Sequence, residues 1–219
     1  TNSSSNNALT VTGDVSVTGI LTGNASAISF GSLTIASGGE YIATSGTTTL
    51  TDKNGNEIYY NNGGTLVANK GTIKTTEGSA ANFTQLGSYT GNIYNFEAAN
   101  GGYNIYFKDQ ADHSGTFTID NNMTLTTGKP RYNDPSQDIT VKGHLYVAAT
   151  TNAKFWDASG TGDVELGGAT ILSGGEFETP TGTTTIKGSL RNMSSNFVSN
   201  DSIVFAGTGG ILEGNLDDA

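Results

Sequence analysis

Residues 30–50 read FGSLTIASGGEYIATSGTTTL, and residues 166–186 read LGGATILSGGEFETPTGTTTI. Eleven of the 21 aligned positions are identical, and Tyr41/Phe177, Leu50/Ile186 and Phe30/Leu166 keep their character. Composition alone does not supply that match, so the chain contains a duplication. Upstream, Leu9-Thr-Val-Thr-Gly-Asp-Val-Ser-Val17 matches Ile139-Thr-Val-Lys-Gly-His-Leu-Tyr-Val147. The second copy is slightly longer between these two matches, which places a short insertion around Phe155–Gly160. Downstream, Ile58–Leu66 weakly echoes Ile203–Ile211.

Working outward, apolar and polar residues alternate over three to six positions and are broken by Gly or Asn every six to ten. Leu9-Thr-Val11, Val15-Ser-Val17, Leu33-Thr-Ile35, Thr116-Phe-Thr-Ile119, Met123-Thr-Leu125 and Ile139-Thr-Val141 all follow this pattern. A period of two bounded by turn residues predicts short half-buried strands. Within each copy a shorter period of about 20–25 residues holds two or three strands, the size of one coil of a parallel β-solenoid. Such a coil cannot cover its own apolar side and must stack on its neighbours. The expectation is an all-β parallel β-helix of nine or ten coils, a rod roughly 45 Å long at the inter-strand spacing. Inward Leu, Ile, Val and Phe would form ladders, with Thr and Ser facing water. The rival is a pair of β-sandwich modules, because turns every 8–12 residues also suit two packed sheets.

The 219 residues include 31 Gly, 33 Thr, 22 Asn and 20 Ser, with 34% hydrophobic and 14% charged residues. Thr and Gly are poor helix formers, so this composition excludes an all-α protein. The chain has no cysteine, which removes disulfides and Cys-based metal centres. Its net charge of −10 disfavours nucleic acid and anionic membrane as partners. No apolar run approaches a membrane span, so no membrane insertion is expected.

The string LTVTGDVSVTG, the SGGE and GTTT units, and NNGGTLVANKGTIK resemble the tandem repeats of very large virion proteins, phage fibres among them, and of bacterial or archaeal cell-surface adhesins. The resemblance covers most of residues 8–100 and 138–214. It implies a virion, cell-surface or other extracellular location and names no activity. The domain reading is one continuous solenoid. An N-terminal arm takes residues 1–8, a first copy 9–137, and a second, partial copy 138–219. The stretch 101–137 departs from the repeat and is expected to form a loop.

Candidate chemistry is sparse. His113 lies in Asp109–Ser114, where Asp, His and Ser fall close together in sequence, unlike a triad assembled from separate segments. His144 replaces Asp14 in the repeat and is expected at an outward turn. Glu40 and Glu176 occupy equivalent repeat positions, and Arg131 and Arg191 are the only arginines, so a carbohydrate-active groove ranks third among the function classes. Asp52–Glu57 resembles the opening of a calcium loop but places Glu57 and Gly63 where Gly and a bidentate Glu belong. No cofactor is expected, with calcium alone left open. The mid-chain aromatics divide between core and a face able to stack on sugars, for which Tyr94, Tyr103 and Tyr106 are the candidates. The leading expectation is a non-catalytic structural rod or fibre segment that associates with copies of itself or with a larger host assembly, through open strand edges or the arm Thr1–Ala8. A glycan-binding module is the alternative.

Overall fold

The chain winds as a three-sided spiral. The computed structural model describes residues 7–51, 57–76, 78–109, 115–132, 137–150, 152–155, 160–193 and 196–214. Among these are 27 strands and no helix. Face 1 is one sheet of ten rungs. Its first five are β1 (Leu9–Val11), β4 (Ile28–Phe30), β7 (Thr47–Leu50), β10 (Thr72–Thr75) and β12 (Asn95–Ala98). Its last five are β15 (Met123–Leu125), β18 (Leu145–Val147), β21 (Thr170–Leu172), β24 (Leu190–Asn192) and β27 (Leu212–Gly214).

Face 2 begins with β2 (Val15–Val17), β5 (Leu33–Ile35), β8 (Glu57–Asn62), β11 (Ala81–Leu86), β13 (Asn104–Asp109) and β16 (Lys129–Tyr132). It continues in β19 (Lys154–Phe155), β22 (Glu176–Glu178) and β25 (Asn196–Val198), joined where the Lys154 amide donates to the Gly128 carbonyl. Face 3 starts with β3 (Ile20–Thr22), β6 (Glu40–Ile42) and β9 (Thr65–Val67). Single bridges, Thr65 to Thr90 and Ile93 to Ile119, carry it on. It ends in β14 (Thr116–Ile119), β17 (Asp138–Val141), β20 (Val164–Leu166), β23 (Thr184–Ile186) and β26 (Ile203–Phe205).

Every pairing among the described strands is parallel, which settles the choice against a sandwich. Along face 1 the register step from one coil to the next is shortest from Leu9 to Ile28 and longest from Phe96 to Met123. The ten rungs agree with the coil number expected from the repeat. The stretch 101–137, expected as a loop, carries β13 to β16 in register with the coils on either side. Its inward residues Ile105, Phe107, Phe117, Ile119, Met123 and Leu125 are all fully buried. Divergence from the repeat therefore changed the sequence and kept the period-two pattern that closes the core.

One continuous core fills the interior. On face 2, Phe155, Phe177 and Phe197 stack with centroids 5.2 and 5.4 Å apart and planes 14° and 11° from parallel. Tyr59 and Phe83 stack in the first half, Phe107 lies tilted against Phe83, and Phe96 from face 1 meets Phe83 and Phe107 edge-on. Tyr59 and the mid-chain phenylalanines are thus core, where offset and edge-on contacts add to burial, while Tyr60, Tyr89, Tyr94 and Tyr106 are half-buried and Tyr103 is exposed. Not all threonines face water. Thr48, Thr75, Thr170 and Thr184 point inward and are fully buried. The middle Thr of each GTTT run is an interior residue.

The duplicated units do not lie on the same face. β4–β5–β6–β7 occupy faces 1, 2, 3 and 1, whereas β20–β21–β22–β23 occupy 3, 1, 2 and 3. β1–β2 and β17–β18 show the same one-face turn. The weak echo of β8 in β26 does not keep it, since it maps face 2 onto face 3. The alignment also slips by one inside the strand. Leu33 and Ile35 point inward in β5, but Thr170 and Leu172 do so in β21, so the identical Thr34 and Thr170 face opposite ways. Alternation overrides residue identity here, because a slip of one exchanges the two faces.

The repeated spelling of SGGE has a steric cause. A Cβ on Gly39 would lie 2.1 Å from the Val17 carbonyl oxygen of the coil before, and one on Gly175 would lie 2.1 Å from that of Ala153. Only glycine lets the corner close onto the preceding rung. Gly39→Ala and Gly175→Ala should each destabilise the protein by about 2–4 kcal/mol. Gly13→Ala and Gly19→Ala, where a Cβ meets nothing within 4 Å, should stay within about 0.5 kcal/mol in the same thermal melts.

Candidate functional site

The polar residues that the sequence offers for chemistry lie mostly on outward positions and corners, and their partners lie one coil away. Asp14 Oδ1 accepts from Ser32 Oγ at 2.7 Å. His144, its counterpart in the second copy, is exposed as expected, and its Nδ1 accepts from the Ala169 amide at 2.9 Å. That fixes the imidazole proton on Nε2. The His144 amide in turn donates to Asn122 Oδ1 at 2.8 Å, and the Asn122 amide donates to Asn95 Oδ1 at 3.3 Å. A second corner repeats the device. Asp138 Oδ1 accepts from the Asp163 amide, and Asp163 Oδ1 from the Thr183 amide, both at 2.8 Å.

On the flat faces, opposite charges meet across rungs. Lys74 pairs with Glu97 at 2.7 Å, Lys154 with Glu176 at 2.8 Å and Arg191 with Glu213 at 3.2 Å, each between register partners. Lys187 reaches Glu165 at 2.7 Å and Lys142 reaches Asp120 at 2.6 Å. Lys108 reaches Glu57 over the intervening Thr84, whose hydroxyl also donates to Glu57. Pairs of this exposure contribute about 0–1 kcal/mol each, so they tune register more than they hold the fold. Glu176 stands against Lys154, and its repeat partner Glu40 opens β6 opposite Thr65. They face different sides of the spiral and do not form a carboxylate pair.

The three candidate tyrosines follow the chain round one coil. Tyr94 is half-buried at the corner before β12, Tyr103 is 50% exposed at the corner after it, and Tyr106 is half-buried within β13 on face 2. The Tyr106 hydroxyl accepts from the Asn104 side-chain amide at 3.0 Å. The structure does not gather them on one face. Tyr146 on face 1, which the sequence analysis did not single out, is 39% exposed and lies beside Ile171 in register. Its signal was its outward place in Leu145-Tyr-Val147. His113, most of Asp52–Glu57 and the arm to Asn6 lie outside the described residues, as does the Arg131 side chain. Among the described residues no group of three or more carboxylate and imidazole side chains gathers as a metal site.

Two phenols are buried in the core. Burial pushes Tyr41 up to about 12, opposed by its hydrogen bond to the Thr48 hydroxyl at 2.7 Å. Burial also raises Tyr59, tempered by the Gln85 and Asn61 amides beside it. Compared with known proteins, the chain matches no family model, no curated protein and no solved structure.

Each buried phenol holds its proton more tightly folded than unfolded. For Tyr41 that stabilisation is intact below pH ~10 and is lost as pH rises through about 12, and the raised Tyr59 adds to it in the same direction. The double variant Tyr41→Phe with Tyr59→Phe should therefore shift the alkaline unfolding midpoint upward, followed by circular dichroism against pH. At the corner, His144→Asn should keep most of the stability, since Asn122 performs the same task with its Oδ1. His144→Ala should lose about 0.5–1.5 kcal/mol in denaturant titration.

Proposed function

We propose that this protein is a non-catalytic structural rod, a fibre segment of a virion or of an extracellular or cell-surface assembly. The observation that carries the reading is where the polar chemistry goes. Asp14, His144, Asp138, Asp163, Glu97 and Glu176 each bond to a neighbouring coil. Side chains committed this way resist sliding and fraying of the stack along its axis. They are correspondingly less free to meet a substrate. The location rests on the resemblance of the repeats to those of large virion and surface proteins, which the acidic, Thr- and Asn-rich outer faces suit. A rod of this kind works by spanning distance and by joining copies or host components. No cofactor is assigned to it.

The glycan-binding alternative is supported only by the exposed rings of Tyr103 and Tyr146, which sit on different parts of the surface. Glycan-array binding that disappears in Tyr103→Ala or Tyr146→Ala would favour it over the rod.

A rod reading makes length a free variable and coil phase a fixed one. Deleting residues 145–169 removes one whole coil and brings Thr170 to the register place of Leu145. The shortened chain should fold, melt cooperatively and keep its far-ultraviolet β signature. Deleting residues 145–156 removes about half a coil and should give an insoluble or unfolded chain. Equal failure of both deletions would count against a repetitive stack as the working element.

A further inference from the structure

Three fully buried polar side chains come together on face 2, where β11 stacks on β8. Tyr59 and Asn61 point inward from β8, and Gln85 points inward from β11. Asn61 and Gln85 are register partners, and Tyr59 lies opposite Phe83, two residues before Gln85. On the other side Asn61 rests on Ile35, which offers it nothing polar. The Tyr59 hydroxyl, Asn61 Nδ2 and both polar atoms of Gln85 have no hydrogen-bond partner among the described residues. The Gln85 and Asn61 amides stand beside the Tyr59 hydroxyl without closing a hydrogen bond to it.

Separate contacts fix the directions of these groups. The Gly64 amide donates to Asn61 Oδ1 at 2.9 Å, which settles the side-chain amide and turns Nδ2 away from the corner. The Tyr59 ring stacks on Phe83 with centroids 5.8 Å apart and planes 20° from parallel, which holds its hydroxyl in place. At the same level β8 carries one residue more than β11. Glu57 is opposite Asn82 and Tyr59 opposite Phe83, so Ile58 and Tyr59 are buried in succession. Such a bulge breaks the even stacking of one inward side chain on the next. A buried polar group costs stability unless it is hydrogen-bonded, and interior water meets that need where about two to four polar atoms converge. Asn100 Oδ1 and the Thr170 and Thr184 hydroxyls are also unpaired, but each offers a single atom where Tyr59, Asn61 and Gln85 offer four.

We propose that Tyr59, Asn61 and Gln85 bind one water molecule as a permanent part of the core. The water accepts from Asn61 Nδ2 and the Tyr59 hydroxyl and donates to Gln85 Oε1. Gln85 Nε2 then closes on the Tyr59 oxygen beside it, and every polar atom of the cluster is paired. About three bonds are the usual complement of a buried water. Its partners belong to adjacent rungs, so the water ties β8 to β11 through the interior, as the side chains of Asp14 and His144 tie coils at the corners. The site is independent of the rod reading, since it concerns the core whatever the spiral is used for.

The test joins a high-resolution crystal structure of the full chain to thermal melts of Gln85→Met, which keeps the side chain's length and removes both polar atoms. One solvent peak is expected within about 2.7–3.2 Å of the three groups. The variant's melting temperature should fall by about 2–5 °C, because the water and the Tyr59 hydroxyl each lose a partner. A dry, unpaired Gln85 gives the opposite sign, since Met would then remove two orphaned atoms. An unchanged or raised melting temperature therefore overturns the site. Density in which Gln85 bonds Tyr59, Asn61 or Asp109 directly, with nothing between, also overturns it. So does a peak that bromide replaces on soaking, which gives the site to a monovalent anion held by the same N–H and O–H donors. If Gln85→Met does not fold, nuclear Overhauser transfer from water to the Asn61 and Gln85 side-chain NH2 protons of the unaltered protein decides. A cross-peak from long-lived water supports the site, and its absence overturns it.

Discussion

The structure depends on one constraint: a rung of backbone can hide its inward side chains only beneath the next rung, at a spacing set by main-chain hydrogen bonds. That spacing leaves no room for a side chain wherever a corner folds down onto the carbonyl below. Gly39 against Val17 and Gly175 against Ala153 are direct expressions of it. The stacked rings of Phe155, Phe177 and Phe197 are another, because similar residues in register fall at the rung repeat and pack face to face. Local composition, corner chemistry and core packing all answer to the same distance.

Much of this was legible in the residues. Leu-Thr-Val and Val-Ser-Val declare alternation, and the paired SGGE units declare a duplication whose glycines mark corners. What the residues hid is relational. Nothing in the spelling of Thr34 and Thr170 says that one faces out and the other in, since that depends on where each corner begins and ends. Residues 101–137 lost the repeat's vocabulary but kept alternating apolar positions, and the core requires only the latter. The buried Thr48 and Thr184 were hidden for a similar reason, because a threonine methyl fills interior space as readily as its hydroxyl meets water.

The candidate site was less legible than the fold. Sequence could list carboxylates, histidines and tyrosines but not their neighbours, which lie a full circuit of the chain away. With those neighbours in view, His144 becomes an acceptor for the Ala169 amide and Asp163 one for Thr183, and their chemistry is cohesion between coils. Tyr94, Tyr103 and Tyr106 are close in sequence, yet a winding chain carries such near neighbours round its circumference. Proximity along the polypeptide is a poor guide to convergence in this architecture.

The one-face turn between duplicated units has a further meaning. A unit that recurs one side further round the triangle was not inherited in whole circuits, and the coils between it and its source keep the stacking phase. A copy set down a fraction of a circuit on carries its surface features to the next side of the triangle. A marking on one unit thus returns in its descendant like the next step of a spiral stair, and a long lineage of copies would display it in all directions.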